Sequence, residues 1–281
     1  MTAVHSATID APQAELAEGT YLLTLRCPAA ARSIRPGQFV MFRDEANSDP
    51  LLGRPFALYD VSGETFTIAY HVIGKQTQLM TDWQVGQTVR LWGPLGNGFP
   101  SEHSGQTLLF VGGGIGYSPF PAVARDALGL SGYAGGAPKR RFQRATLIQG
   151  ARTAALMTRE DYAETELAAG LHVERCTDDG SSDRPGRVTD LLDEHLAASD
   201  QPDVVFTCGP VGMMKAVAER CQTAGVVCYL SLETPMACGY GACFSCVVPV
   251  KDESAPEGWD YRRSCVEGPV FDAAAMDLTA L

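Results

Sequence analysis

The sequence predicts a multi-domain chain: an antiparallel β-barrel, an α/β domain built on a parallel sheet, and a small cysteine-bearing C-terminal domain. Three observations predict it. Between Gly19 and about Gly98, short runs rich in β-branched and aromatic residues are broken by turn residues, as in a small barrel or sandwich. From about Thr107, continuous apolar runs alternate with helical periods, the pattern of a doubly wound parallel sheet. In the last fifty residues stand Cys238, Cys243, Cys246 and Cys265. A chain of 281 residues that is 45% hydrophobic can build two or three such modules.

In the first module, residues 1–103, strands are expected over Tyr21–Arg26, Gln38–Arg43, Phe56–Val61, Phe66–Val72 and Thr88–Trp92. Pro36-Gly37, Ser62-Gly63, Val85-Gly86 and Gly93-Pro94 punctuate them. The stretch before Gly19, with Asp10, Glu15 and Glu18, is mixed and lacks the apolar core of an export signal. In the second module, residues 104–231, strands are expected over Thr107–Val111, Ala145–Gln149, Leu171–Cys176, Val204–Cys208 and Val226–Ser231. Helices fall near Ser118–Leu128, Thr158–Ala169, Thr189–Ala198 and Gly212–Ala224, with a Gly/Ala-rich loop over Ser131–Pro138. The third module, residues 232–281, is too short for much of a core of its own, and a bound metal group would offset that deficit.

The formal charge of -11 disfavours nucleic acid, which needs Lys/Arg-rich faces. The basic run Lys139-Arg140-Arg141-Phe142-Gln143-Arg144 is short and reads as a solvated loop. No stretch reaches the ~18 apolar residues of a membrane span. Nine cysteines without an export signal imply a reducing compartment, so a cytoplasmic protein is expected.

The cysteine gaps are four, two and eighteen residues, the plant-type spacing for four thiolates around a [2Fe–2S] cluster. Gly239, Gly241 and Ala242 leave the first loop small enough to turn its amides toward the sulfurs, where hydrogen bonds tune the potential. The rival is tetrahedral zinc, which usually takes two short Cys pairs; here Cys243 and Cys246 form one such pair. Cys27, Cys176, Cys221 and Cys228 read as small buried hydrophobes.

Leu108–Val111 runs into Gly112-Gly113-Gly114-Ile115-Gly116, then Tyr117-Ser118-Pro119. A strand, a glycine turn and a helix make an anion cradle, and after the first strand of a doubly wound sheet such a cradle binds a dinucleotide. The plain alternative is a tight strand–helix connection. A second strand end, Thr207-Cys208-Gly209-Pro210, falls at the same sheet edge. Either Cys208 is a buried small residue, or its sulfur lies near a nicotinamide ring.

In the barrel, Arg54-Pro55-Phe56-Ala57 opens a strand: the guanidinium suits phosphate and the strand edge could hold an isoalloxazine. Tyr70-His71-Val72-Ile73-Gly74-Lys75-Gln76-Thr77 ends a strand in a polar turn whose Gly74 amide and Thr77 hydroxyl could serve phosphate oxygens. Alone, each is a strand–turn element, and His71 a structural histidine. Electron counting adds a reason for FAD. A nicotinamide exchanges two electrons as hydride and a [2Fe–2S] cluster exchanges one, so a flavin is required between them.

With these residues the chain resembles the ferredoxin–NADP⁺ reductase superfamily, and within it the electron-transfer subunits of B-type, NAD-linked dihydroorotate dehydrogenase. The resemblance runs from about Gly19 to Met276. It is carried by Arg54–Ala57, Gly112–Pro119, Gly150-Ala151-Arg152-Thr153, Cys208-Gly209-Pro210, Leu232-Glu233, Met236–Gly239 and Cys265–Phe271. In the family a glycine usually follows the lysine of the Gly74-Lys75 turn, where Gln76 stands here; Thr234-Pro235 and the long Ser131–Arg144 loop also depart from the pattern. The resemblance implies a partner catalytic dihydroorotate dehydrogenase subunit carrying FMN, a heterotetramer, and a relay through the four-cysteine cluster and FAD to NAD⁺ in pyrimidine biosynthesis. It implies flavin contacts at Arg54, Pro55, Phe56, Ala57, Tyr70, His71, Val72, Gly74, Lys75 and Thr77. Nucleotide contacts are implied at Gly112, Gly113, Gly114, Ile115, Gly116, Gly209 and Pro210, with Cys208 at the reacting ring. Two alternatives stay open: a stand-alone NAD(P)H reductase for another acceptor, with Arg152 approaching a 2′-phosphate, and a zinc-stabilised adaptor without activity.

Overall fold

The computed structural model describes residues 3–45, 49–158, 169–182 and 184–281. Its first sheet holds β1 (Val4–Ile9), β2 (Ala14–Ala17), β3 (Thr20–Arg26), β4 (Phe39–Asp44), β5 (Arg54–Ser62), β6 (Thr65–His71) and β7 (Thr88–Leu95). The order is β1-β7-β4-β5-β6-β3-β2, and an added β1–β3 pairing closes six antiparallel strands into a barrel. β2 hangs outside the ring on β3. Closure leaves the six ring strands no free edge. Alternate residues turn inward, so Leu23, Leu25, Phe42, Phe56, Leu58, Phe66, Ile68 and Leu91 fill the interior.

In the barrel module two strands and two short helices lie where the sequence predicts none. β1 and β2 occupy the stretch read as mixed: only Ala7 and Ile9 of β1 are fully packed inward, too few for a clear alternation. The polar turn after β6 winds into a one-and-a-half-turn helix, Lys75–Met80 (α2, after the four-residue α1, Pro28–Ala31).

The second sheet holds β8 (Gly105–Gly113), β9 (Phe142–Ala151), β10 (Leu171–Thr177), β11 (Val204–Cys208) and β12 (Val227–Ser231), all parallel in the order β10-β9-β8-β11-β12. The winding direction reverses between β8 and β11, and in such sheets ligands bind at that switch point beyond the strands' carboxyl ends. The helices are α3 (Phe120–Ala127), α4 (Val188–Ala197) and α5 (Val211–Ala224). α3 is shorter than the expected Ser118–Leu128 because the chain first makes a 3₁₀ turn over Gly114–Tyr117. The helix expected over Thr158–Ala169 lies almost wholly outside the described residues.

The last segment makes a hairpin, β13 (Val247–Lys251) with β14 (Trp259–Arg263), and then β15 (Val270–Asp272). β15 pairs antiparallel with β12 as the outer strand of the second sheet, so strand pairing runs across residue 232. Val248, Phe271 and Met276 share a core with Leu109 and Val205 of that sheet. Cys246 and Cys265 pack instead with Phe39, Met41 and Leu95 of the barrel. The segment thus borrows two cores, as its length requires.

Candidate functional site

A cleft of about 970 Å³ opens where the barrel meets the switch point of the second sheet. Thr20 and His71 line it from the barrel, Gly113–Gly116 and Gly209–Met213 from the sheet edge, and Glu233 from the start of the last segment. Arg152, Asp178 and Arg187 line its far end. The loop after β8 folds as the sequence suggests for a physical reason. Gly114 has φ +56°, which glycine adopts without strain. At Gly116 a Cβ would stand 2.6 Å from the Cys208 carbonyl carbon, so only glycine lets the two strand ends close up. β8 and β11 pair Gly112 with Cys208, which sets the glycine loop against Gly209-Pro210. A Cβ at Gly113 would meet Pro210 Cδ at 2.9 Å.

Cys208 itself is 4% exposed and does not line the cleft. Burial pushes its thiol well above the ordinary range, the nearby Glu233 charge adds to that, and a Ser231 hydrogen bond opposes it. The sulfur therefore stays a neutral thiol under the cleft floor. Glu233 follows β12 on the same edge and was not among the site residues predicted from sequence. Its side chain is open to solvent through the cleft mouth yet walled by protein atoms, and that desolvation raises its carboxyl above the usual range. Sequence marks it only within the Leu232-Glu233 pair of the family resemblance; the fold puts it in the cleft.

The barrel residues divide by strand parity. Phe56 points into the barrel, stacked on Phe42 with centroids 4.4 Å apart, so a flavin there would meet its backbone and not its ring. Pro55 and Ala57, of opposite parity, are half-buried on the outer face. Arg54 donates to the Leu52 and Gly53 carbonyls at 3.0 and 3.2 Å. Tyr70 is buried, stacked on Tyr21 and donating to the Gln13 side-chain carbonyl. His71 Nδ1 bonds the Thr20 hydroxyl at 2.9 Å, and Val72 is half-buried beside it. Lys75 pairs with Asp49. Thr77 Oγ1 accepts from the Ile73 and Gly74 amides at 3.0 and 3.1 Å. In this conformation the turn is closed on itself, and a phosphate would take over the Gly74 amide.

The four cysteines fall into two pairs. Cys246 Sγ and Cys265 Sγ are 3.2 Å apart, both buried. Cys238 stands beside the exposed Cys243 and helps to hold its thiol down. Among the described residues no three His, Cys, Asp or Glu side chains are gathered for one metal ion. Two thiolate pairs suit the two irons of a [2Fe–2S] cluster better than one tetrahedral zinc. Hydrogen bonds from the Ser245 hydroxyl and amide hold the Cys243 thiol down to about 6, so it is a thiolate ready for metal at neutral pH. Burial and the neighbouring Cys246 push Cys265 up to about 12. Trp92 Nε1 donates to the Cys238 carbonyl at 2.8 Å, tying the first loop to β7. Pro235, which removes an amide, contributes its carbonyl to Ser245 Oγ at 3.3 Å.

Comparison with known proteins agrees with this geometry. Residues 233–277 match the iron-sulfur cluster binding domain of dihydroorotate dehydrogenase B, and residues 110–219 match an oxidoreductase NAD-binding domain. The electron transfer subunit of dihydroorotate dehydrogenase B (NAD(+)) from Bacillus caldolyticus is 39% identical over 272 residues, covering 95% of this chain and 96% of that protein. Its counterpart from Caldanaerobacter subterraneus is 34% identical over 236 residues, covering 84% of each chain. Among solved structures, one of an NADH-dependent reduced ferredoxin-NADP oxidoreductase matches with a TM-score of 0.78 and 28% identity, covering 97% of this chain and 90% of that one. The ferredoxin reductase of carbazole 1,9a-dioxygenase shares the fold, with a TM-score of 0.65 at 22% identity over 80% of this chain and 67% of its own.

Proposed function

The chain belongs to the family of electron transfer subunits of NAD-linked dihydroorotate dehydrogenase B, and from that premise we propose that it relays electrons between a catalytic partner and NAD⁺. It is an oxidoreductase subunit that uses FAD, a [2Fe–2S] cluster and NAD. The partner in this reading is an FMN-containing subunit that oxidises dihydroorotate in pyrimidine biosynthesis, assembled with this chain as a heterotetramer in the cytoplasm. Among the described residues no helix is long and apolar enough to cross a membrane.

A flavin exchanges two electrons with a nicotinamide and one at a time with a low-potential [2Fe–2S] centre, at about −400 mV in plant-type ferredoxins. The chain's own residues bind, orient and shield. Cys238 with Cys243, and Cys246 with Cys265, would each hold one iron. The amides of the Gly112–Gly116 loop and of Gly209 would seat the nucleotide's phosphates, with Pro210 closing the turn beside them. Arg54 and the Gly74–Thr77 turn would hold the flavin's phosphates, and Pro55 and Ala57 would present strand backbone to its ring. Cys208, a buried neutral thiol beneath the cleft, would pack under the nucleotide without touching solvent. Glu233 lines the cleft with a carboxyl that desolvation raises above the usual range. Tyr240, Phe244 and Val266 are exposed in the loops that carry Cys238, Cys243 and Cys265, and that apolar rim is where the partner would dock.

One observation carries the reading: a single cleft is lined by the barrel, by the glycine loop and by the segment that leads into the cysteine loops. The test is reconstitution with a dihydroorotate dehydrogenase subunit under anaerobic conditions. The pair should reduce NAD⁺ on addition of dihydroorotate, and neither chain alone should. An inactive pair in which this chain carries flavin and iron would remove the assigned partner.

A further inference from the structure

Arg263 ends β14 just before Cys265, and its side chain reaches all three stretches that carry the cysteines. Toward Glu267, just after Cys265, it makes a two-pronged ion pair: Nε donates to Oε2 at 3.2 Å and Nη2 to Oε1 at 2.5 Å. Its backbone amide donates to the same carboxylate at 2.8 Å. Toward the loop between Cys238 and Cys243, Nη1 donates to the Gly241 carbonyl at 3.1 Å. Toward the turn between Cys243 and Cys246, the guanidinium lies over the Phe244 ring, 5.1 Å from its centroid. Both loops are shaped round it. Gly241 has φ +86°, and a Cβ there would stand 3.2 Å from Nη1. Phe244 has φ +57°, a conformation that bulky residues rarely adopt. Its ring is 60% exposed, so burial in a core does not hold it there; the cation over its face does.

Charge adds to geometry. The guanidinium stands close enough to Cys246 and Cys265, the buried pair, for ionised sulfurs there to favour its positive charge. An all-thiolate cluster is an anion that becomes more negative on reduction, and the net charge around a cluster helps to set its potential. A cation at this place favours the reduced form, and the Glu267 carboxylate opposes it. We propose that Arg263 is a positioning residue that ties the cluster's three ligand stretches together, and that the Arg263–Glu267 pair sets the cluster's potential, the cation raising it and the carboxylate lowering it. This rests on the cluster assigned to the four cysteines. Lysine could not do the same work, because only the planar fork meets a carboxylate, a carbonyl and a ring face at once.

The test is a redox titration of the full chain followed by EPR, with the loss of iron to a chelator timed alongside. Arg263→Gln removes the cation and leaves Glu267 unopposed. It should shift the reduction equilibrium toward the oxidised cluster by about threefold to tenfold, at about 59 mV per tenfold for one electron. Glu267→Gln should shift it by a similar factor toward the reduced cluster. Opposite shifts identify an effect of charge, since both substitutions loosen the same loops. Arg263→Lys keeps the charge and gives up the fork, so the potential should stay near that of the wild type while iron is lost faster. Shifts of one sign in the two glutamine variants, or none, overturn the assignment of the potential to this pair. Unchanged iron loss in Arg263→Lys overturns the tie. If Arg263→Gln holds no cluster, Glu267→Gln decides alone, and a potential that does not rise sinks the proposal. Wild-type chain without iron overturns the cluster assignment as well.

Discussion

Glu233 and Cys243 are tuned in opposite directions by their surroundings, and each carries a prediction. Desolvation raises the Glu233 carboxyl above its unfolded value. Below the unfolded value the group is neutral in both states and costs nothing. As pH climbs through the raised value, the folded carboxyl must ionise in a poor environment, and stability falls. Glu233→Gln should therefore raise the thermal midpoint at about pH 8 and leave it nearly unchanged at about pH 4. Equal shifts at both would mean that the carboxyl is not desolvated. Cys243 is held low by Ser245, and its thiolate is exposed. Cys243→Ser should abolish the low-temperature EPR signal of the reduced protein while bound flavin remains. A normal rhombic signal would remove Cys243 from the ligand set. The cysteines were legible in sequence because ligand spacing is a local property of the chain. Glu233 was legible only as part of the family resemblance, since its place in the cleft comes from where β12 ends in the sheet. Phe56 was legible as part of a motif, but strand parity turns its ring away from the outer face.

At the scale of elements, local pattern predicted what local forces decide. The five parallel strands lie within a few residues of their expected bounds, and the inner ones, β8 and β11, are continuous buried apolar runs with no alternation to misread. β1, β2, β13, β14 and β15 were not legible. Each is short or half-exposed and is a strand because a neighbour offers it a ladder. α2 was hidden in a polar turn, since one and a half turns show no helical period. The junction of β8 and β11 gives the sharpest test at this scale. Gly116→Ala would drive a methyl group into the Cys208 carbonyl and force the two strand ends apart. NADH should bind at least about tenfold more weakly, at a cost of about 1–3 kcal/mol in stability, with the flavin spectrum kept. An unchanged NADH titration would show that the loop does not hold the nucleotide.

Across the whole molecule the three expected modules are joined more tightly than a linear partition implies. Asn97, just after β7, donates to the Glu267 and Val270 carbonyls at 3.1 and 2.7 Å and accepts from the Val270 amide at 3.2 Å. Tyr133, from the long loop after α3, reaches across to Asp60 at 3.1 Å, where Arg125 also pairs. Such contacts are invisible in sequence because they join residues far apart in the chain. They imply that the cleft and the cysteine loops keep a fixed separation, as a relay requires. Asn97→Ala should cost about 1–2 kcal/mol, from the lost hydrogen bonds to the buried Val270. It should also make the last segment the first site of limited proteolysis. Cleavage that stays confined to the barrel would argue against that lock.

The pairing of β15 on β12 also bears on how the protein is made. As synthesis proceeds, β12 is complete while its outer edge stays bare until residues 232–269 have followed, and all four cysteines lie in that stretch. An unpaired strand edge is a template for aggregation. Iron supply and solubility are thereby coupled: a nascent chain whose cysteine loops fail to settle also delays the covering of its sheet. Cells starved of iron should accumulate this protein in the insoluble fraction, and a chain shortened to residues 1–269 should do so whether or not iron is present.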